Sequence, residues 1–371
     1  MEIKIEKEKL LNLLRWTQGI VEKRSPMVIL SNLLLEAQDK NLRVTATDLE
    51  VVVTTEGEID SKGSGRWVVS ARHFFEIVRE APTTEIKLVS SQGKGLEIRS
   101  GKAHFKVVGM NPDEFPQIPP PTSKGEVKID PDDLKDMIEN TFYSVSTDET
   151  RYTLNALYFT GINGTDGKNL LRLVATDGHR LSYSEKEVDK KWKLEKGILL
   201  PRKGVQELKK LLSEGEGDVF VTSDEKIISF RRGGVSLSIR LTEGEYPQYE
   251  QVIPKETDKV ISVERDPFAG SLRRASILTA HEGRGVRLEI SSGILEVSSA
   301  HADLGEAKEE LAIDYRGPKF DVAFNPKYLL DILSVLQDEK VVLELKDDVS
   351  PCVIRSEFDR GFLALVMPMR I

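Results

Sequence analysis

One cysteine, Cys352, stands in 371 residues, so no intramolecular disulfide can form and the chain fits a reducing compartment. Long apolar runs are missing as well. No stretch approaches the ~20 apolar residues that span a bilayer. The opening MEIKIEKEKLL alternates charge with apolar residues where a signal peptide needs an apolar core; the expected location is the cytoplasm. Positive charge is in deficit, with 53 Lys and Arg against 61 Asp and Glu and a formal net charge of -8. Taken alone, that argues against a protein that coats nucleic acid. Catalytic signatures are scarce too. There is no Gly-x-Ser-x-Gly elbow, no Walker loop and no dinucleotide fingerprint. The five histidines, at 73, 104, 179, 281 and 301, lack metal-ligand spacing, so neither metal nor cofactor is expected. The glycine pairs in RRGG (231–234), EGRG (282–285) and GSGR (63–66) read as turns, the last as a hairpin turn.

What is present is a threefold repeat of roughly 124 residues. Each copy opens with an apolar residue, acids and a helical stripe: KIEKEKLLNLL (4–14), KIDPDDLKDMI (128–138) and SVERDPFAGSL (262–272). A second helix follows as SARHFFEIV (70–78), LPRKGVQEL (200–208) and NPKYLLDIL (325–333). The copies close on Pro-bearing segments, GMNPDEFPQIP (109–119), TEGEYPQYEQVIP (242–254) and VMPMRI (366–371). Alternating apolar runs between the helices predict many strands. With 39% hydrophobic and 31% charged residues, the chain reads as soluble and globular, with an α+β fold of three repeated domains, each built from antiparallel sheets and two helices. The expected boundaries are 1–123, 124–256 and 257–371, with the prolines of 115–126 and helix-start residues Asp130 and Pro131 marking the first.

Two features invite functional readings. Asp177 and His179 in ATDGHRL (175–181) could form an acid–base pair, but no activated nucleophile accompanies them. Thr-Asp recurs in VTATDLEV (44–51), which favours a turn whose carboxylate caps local N–H groups. Second, Arg72, Arg202 and Lys327 share a repeat position in the first turn of the second helix, where cations oppose the helix dipole. His73 and Lys203 follow directly, and Arg202, Gln206, Lys209 and Lys210 fall on one helical face. That face reads either as solvated or as sequence-blind phosphate contact.

ATDGHRL, PRKGVQEL (201–208), EYPQYEQVIP (245–254) and VMPMRI, in this order, resemble the bacterial DNA polymerase III beta subunits, the sliding clamps, over essentially the whole chain. The resemblance implies a DNA clamp: two chains head to tail close a ring of six similar domains around duplex DNA and tether the replicative polymerase, without catalysis. It implies DNA-facing residues among Arg24, Arg72, His73, Tyr152, Arg202, Lys203, Lys209, Lys210 and Lys327. It implies a hydrophobic pocket for short linear motifs of polymerases, clamp loader and repair proteins. The lining would be Leu154, Thr176, Gly178, His179, Arg180, Leu181, Pro247 and Val252, with Asn325, Tyr328, Val366, Met367, Pro368, Met369 and Arg370 from the third domain. Ring closure would use the edge strand at 103–108 and the helix around 273–280, with Phe105 and Val107 against Ile277 and Leu278; each of these could instead be ordinary core. Thr153 stands where well-known members carry an aromatic beside Tyr152, and Gln251 where some carry arginine. A scaffold that binds only proteins is the rival reading.

Overall fold

The three repeats unroll the same order of elements, with one strand, Asp60–Lys62, added in the first. In the computed structural model, which describes residues 2–21, 27–91, 95–116, 125–164, 167–188, 196–279 and 285–370, the first contains β1 (Glu2–Glu6), α1 (Lys7–Arg15), β2 (Asn32–Gln38), β3 (Asn41–Thr47), β4 (Val51–Glu58), β5 (Asp60–Lys62), β6 (Gly65–Ser70), α2 (Ala71–Arg79), β7 (Glu85–Ser90), β8 (Leu96–Ser100) and β9 (Ala103–Val107). The second contains β10 (Val127–Ile129), α3 (Pro131–Phe142), β11 (Ala156–Asn163), β12 (Asn169–Thr176), β13 (Arg180–Glu187), β14 (Ile198–Pro201), α4 (Arg202–Glu214), β15 (Val219–Ser223), β16 (Ile227–Arg232) and β17 (Val235–Arg240). The third contains β18 (Lys259–Glu264), α5 (Arg265–Ser276), β19 (Val286–Ser291), β20 (Ile294–His301), β21 (Gly305–Asp314), β22 (Phe320–Phe324), α6 (Pro326–Val335), β23 (Lys340–Leu345), β24 (Cys352–Arg355) and β25 (Phe362–Val366). None of these helices is long and apolar enough to cross a membrane.

Helix starts follow from local chemistry. Asp130 Oδ1 accepts the Asp132 N–H at 2.9 Å beside Pro131. Asn325 Oδ1 accepts the Lys327 N–H at 3.0 Å beside Pro326, so proline's missing donor falls where a helix has no use for one. Apolar residues one turn apart then face inward: Leu10 and Leu14 in α1, and Val205, Leu208, Leu211 and Leu212 in α4. Gly204 lets α4 come close to β17, because a Cβ there would lie 2.5 Å from Ile239 Cγ2.

The strands pair antiparallel in three sheets, ordered β5-β1-β7-β8-β9, β10-β15-β16-β17-β4-β3-β2-β6 and β14-β11-β12-β13-β25-β24-β23-β18-β21-β20-β19-β22. The early strands of one repeat thus join the late strands of the next. β4 pairs with β17 (Val53 opposite Leu237) and β13 with β25 (Ser182 opposite Ala364). Contacts accordingly group the chain as two compact units, Met1–Asp132 with Lys203–Leu241 and Asp133–Arg202 with Thr242–Ile371. The middle repeat is divided because each half contributes its strands to a neighbour's sheet. RRGG is a hairpin turn, between β16 and β17. GSGR is not: it leads from β5 in the five-stranded sheet to β6 in the eight-stranded one, since glycines permit a reversal without dictating which strand comes next to it.

β25 is buried at every position. Phe362, Ala364 and Val366 join the core beneath α5 and α6. Leu363 and Leu365 point the other way, into a second cluster with Val174, Leu181, Tyr249 and Val353.

Arg232 illustrates a buried charge used as a cap. It is 9% exposed, and its guanidinium donates to the carbonyls of Gly217 at 2.9 Å, Leu211 at 3.3 Å and Leu212, closing the C-terminus of α4. Arg232→Met should leave these carbonyls without their charged donor and cost about 2 kcal/mol. The expected result is an earlier urea transition and faster amide exchange around 211–217; unchanged exchange there would show that water replaces the guanidinium.

Candidate functional site

The cations expected to face DNA fall into two groups. Arg24 lies outside the described residues. Arg72 extends into solvent on α2 with a one-turn ion pair to Glu76 at 3.0 Å, whose hydrogen bond lowers the Glu76 pKa. His73 is exposed, its Nδ1 3.0 Å from Ser70 Oγ. Lys327 is exposed on α6 and Tyr152 is 61% exposed. The α4 residues are engaged locally instead. Arg202 donates to the Val145 carbonyl at 3.1 Å and lies 4.6 Å from the centre of the Phe142 ring. Lys203 pairs with Asp48, whose side chain is 4% exposed. Lys210 donates to the Arg15 carbonyl at 3.0 Å above the Trp16 ring, and Lys209 is half-buried. Between them Glu207, desolvated, has a raised pKa.

The ATDGHRL segment forms the turn between β12 and β13. Asp177 Oδ1 accepts the N–H groups of His179 at 2.9 Å and Arg180 at 3.1 Å. Thr176 Oγ1 donates to the Arg180 carbonyl at 2.6 Å and accepts from Gly178 N at 3.1 Å. Gly178 sits at φ +90°, a conformation that favours glycine. Asp48 makes the same cap in the first repeat. Asp177 is therefore a structural acceptor, its oxygens taken up by the His179 and Arg180 N–H groups and the Arg180 guanidinium. Arg180 is 9% exposed; it donates to Asp177 Oδ2 at 2.9 Å, Asp331 Oδ2 at 2.5 Å and the Tyr143 carbonyl at 2.5 Å. Its guanidinium lies 4.6 Å from the Tyr328 ring. It is a pillar, with its donors turned into the protein.

Around this pillar several of the expected pocket residues meet. The His179 ring stacks on Tyr328 at 6.3 Å, whose hydroxyl pKa is raised chiefly by burial and then by Asp177. Arg151 donates to the Asp177 carbonyl at 3.1 Å, tying in the turn that carries half-buried Leu154. Met367 N–H donates to the His179 carbonyl at 2.9 Å and Met369 N–H to the Ala323 carbonyl at 2.8 Å, so the tail after buried Val366 is held by backbone while Met367 stays 39% exposed. Pro368 is half-buried and Arg370 exposed. Leu181 is buried in the cluster beneath the segment bearing Pro247 and Val252. Asn325 is used as the α6 cap.

A groove of about 520 Å³ runs on from Val252 and Met367 between residues 251–256 and Lys346, Ser350 and Pro351. The last three were not legible beforehand: DDVSP reads only as a turn, and Asp347 does cap it, accepting from Val349 N and Ser350 N.

The residues expected at ring closure lie on open margins. Phe105 is 39% and Ile277 68% exposed, with Val108 at 88%; Val107 and Leu278 are half-buried. Among the described residues β9 pairs only with β8. β21 meets β18 only at Asp314 and Ile313, leaving the rest of that edge unpaired among the described residues.

Residues 1–119, 128–248 and 250–370 match, in turn, the N-terminal, central and C-terminal domains of the DNA polymerase III beta subunit. The chain is 31% identical over 373 residues to the beta sliding clamp of Caulobacter vibrioides, and 32% identical over 372 residues to that of Escherichia coli strain K12, covering 100% of each chain in both cases. Among solved structures it is similar over 100% of both chains to the Caulobacter crescentus clamp (TM-score 0.95, 31% identity) and to the Bartonella birtlesii clamp bound to griselimycin (TM-score 0.94, 34% identity). The repeat, the shared sheets and these full-length matches agree: the chain belongs to the beta sliding clamps, the non-catalytic DNA polymerase III beta subunits that act as processivity factors in DNA replication.

Proposed function

We propose that two copies of this chain, head to tail, close a ring around duplex DNA in the cytoplasm and hold the replicative polymerase, clamp loader and repair proteins through the pocket at His179, Tyr328 and Met367. The observation that carries the reading is the repeated sheet junction. β4·β17 and β13·β25 each join the early half-sheet of one repeat to the late half-sheet of the next. Two half-sheets remain, β22-β19-β20-β21 and β9-β8-β7-β1, and they are the complementary kinds. An open edge invites a strand, and a second copy supplies the right one.

The register follows from the two internal junctions. Stepping across facing residues from the position two before each second helix, with the β2·β3, β11·β12 and β19·β20 registers carried on by one residue, leads to Val53 and Ser182 in the first two repeats and to Ala307 in the third. Stepping from the position four before each first helix leads to Leu237 and Ala364 and, in the first repeat, to Phe105. Phe105 of one copy therefore lies opposite Ala307 of the other, with Lys106 opposite Glu306 and Lys102 opposite Glu310. Opposite charges in directly facing positions favour this pairing. Ile277 and Leu278 supply apolar cover.

The three domains take the bounds 1–123, 124–256 and 257–371. A ring needs only weak, sequence-blind phosphate contacts. Arg72, His73, Tyr152 and Lys327, with Arg24 and Lys209, are the proposed contacts, while Arg202, Lys203 and Lys210 contribute field from where they are bound. Clamps from Bartonella birtlesii and Pseudomonas aeruginosa have been solved bound to griselimycin; we extend that binding to the pocket here, whose methionines adapt to varied side chains.

Three experiments test this. Loaded with its clamp loader and ATP, the protein should stay on nicked circular DNA and leave when the DNA is linearised; retention on both forms would replace encirclement with direct binding. Lys106→Cys with Glu306→Cys should give a covalent dimer under mild oxidation, because facing residues in an antiparallel pair are within disulfide reach. Lys106→Cys with Glu309→Cys should not, and the reverse outcome would sink the register. Met367→Ala with Met369→Ala should weaken griselimycin about tenfold in a calorimetric titration, and unchanged affinity would remove the tail from the pocket.

A further inference from the structure

We infer that Arg172, Tyr246 and Tyr249 are positioning residues for the pocket, acting through the segment 242–254 and not by touching the ligand. The inference rests on the pocket reading above and extends it to residues on the sheet face outside the lining. The segment carries Pro247 and Val252, yet its regular structure is a single short helical turn, Tyr249–Val252. Its start is fixed by backbone: Thr242 N–H donates to the Leu199 carbonyl at 2.9 Å. Gly244, at φ +131°, passes so close that a Cβ would lie 2.8 Å from Thr153 Cγ2.

Further along, the anchors are side chains. The Tyr246 ring stacks on Tyr158 with centroids 4.8 Å apart and planes within 7°. Tyr249 meets both rings edge-on at 6.4 Å and is 8% exposed, whereas Val252, three residues on, is 51% exposed. Arg172, on β12, donates to the Tyr249 hydroxyl at 3.0 Å and to Glu185 Oε2 at 2.7 Å. Its guanidinium lies 4.7 Å from the Tyr183 ring centre, so stacking and a carboxylate hold the donor in one place. Buried Tyr249 and half-buried Tyr246 thus turn Val252 outward to the groove it shares with Met367. A wall held this way presents a fixed surface and spares a ligand the cost of ordering it.

The test uses the full-length protein, griselimycin as probe, calorimetric affinity and a thermal melt for each variant. Val252→Ala removes the wall side chain directly. Arg172→Met keeps bulk and removes the donors, and should weaken binding about tenfold, with a partial return in Arg172→Lys. The decisive reading is the double-mutant cycle: combined with Val252→Ala, the effect of Arg172→Met should shrink below about twofold, because the wall it positions is already gone. If Arg172→Met melts early, Tyr249→Phe, which keeps the ring and loses only the hydroxyl, carries the same cycle with a loss of about threefold. Losses that multiply in full, or an Arg172→Met chain that binds like wild type, would overturn the positioning role and leave the pocket intact. A wild-type chain that does not bind griselimycin, or a Val252→Ala chain that binds it undiminished, would overturn the pocket reading at this wall and the positioning role with it.

Discussion

A strand at the margin of a sheet carries a row of backbone N–H and C=O groups without partners, and a protein must pair, cover or disguise them. Here four-stranded half-sheets end in such margins, and the chain resolves them by letting each repeat complete the sheet of the one before. β4 finds β17 and β13 finds β25. The arrangement fixes much else. It divides the middle repeat between two packed units. It makes β25 apolar on both faces, with helices beneath one and a tyrosine-rich segment over the other. It also leaves β9 and the far edge of β21 without a partner strand among the described residues, and in the ring proposed above a second copy of the same chain would meet them with the same junction chemistry.

The net charge of -8 fits the same logic. A protein held on DNA by topology does not need tight phosphate binding, and strong binding would oppose sliding, since each neutralised phosphate adds to the affinity to be broken. Several cations that a charge count would assign to DNA are satisfied within the protein: Lys203 by Asp48, Arg202 by a carbonyl and an aromatic face, Lys210 by a carbonyl and Trp16. What reaches solvent is a sparser set, suited to weak contact.

Local features were legible in the sequence because their causes are local. Asp130 with Pro131 and Asn325 with Pro326 mark helix starts through a side-chain oxygen and a missing donor, both within three residues. The Asp177 turn could be read from its recurrence at Asp48. Long-range facts could not. Nothing in VVVTTEGE or VSLSIR says that these two strands, over 170 residues apart, are neighbours; alternation reports which face is buried and not which strand lies alongside. GSGR has the composition of a hairpin turn for this reason, yet it joins strands of two different sheets. Lys203 reads as a cation for DNA and Asp48 as a turn cap, and nothing in either segment says that the fold pairs them. Lys346, Ser350 and Pro351 offered no signal, since a groove wall made by a turn has the composition of any turn.

The proposed pocket combines two kinds of surface that pull in different directions. Met367 and Met369 have long unbranched side chains that repack cheaply around different ligands, yet their backbones are tied to His179 and Ala323. Facing them, Val252 sits on a segment held by stacked rings and a guanidinium already committed to Glu185. On the positioning inferred above, adaptability is confined to side-chain ends, with the frame beneath them held by backbone hydrogen bonds and stacked rings. For the partner binding proposed above, this division is an advantage. Fixed walls keep the entropic cost of every exchange small, while soft methionines keep any one partner from being the only one that fits.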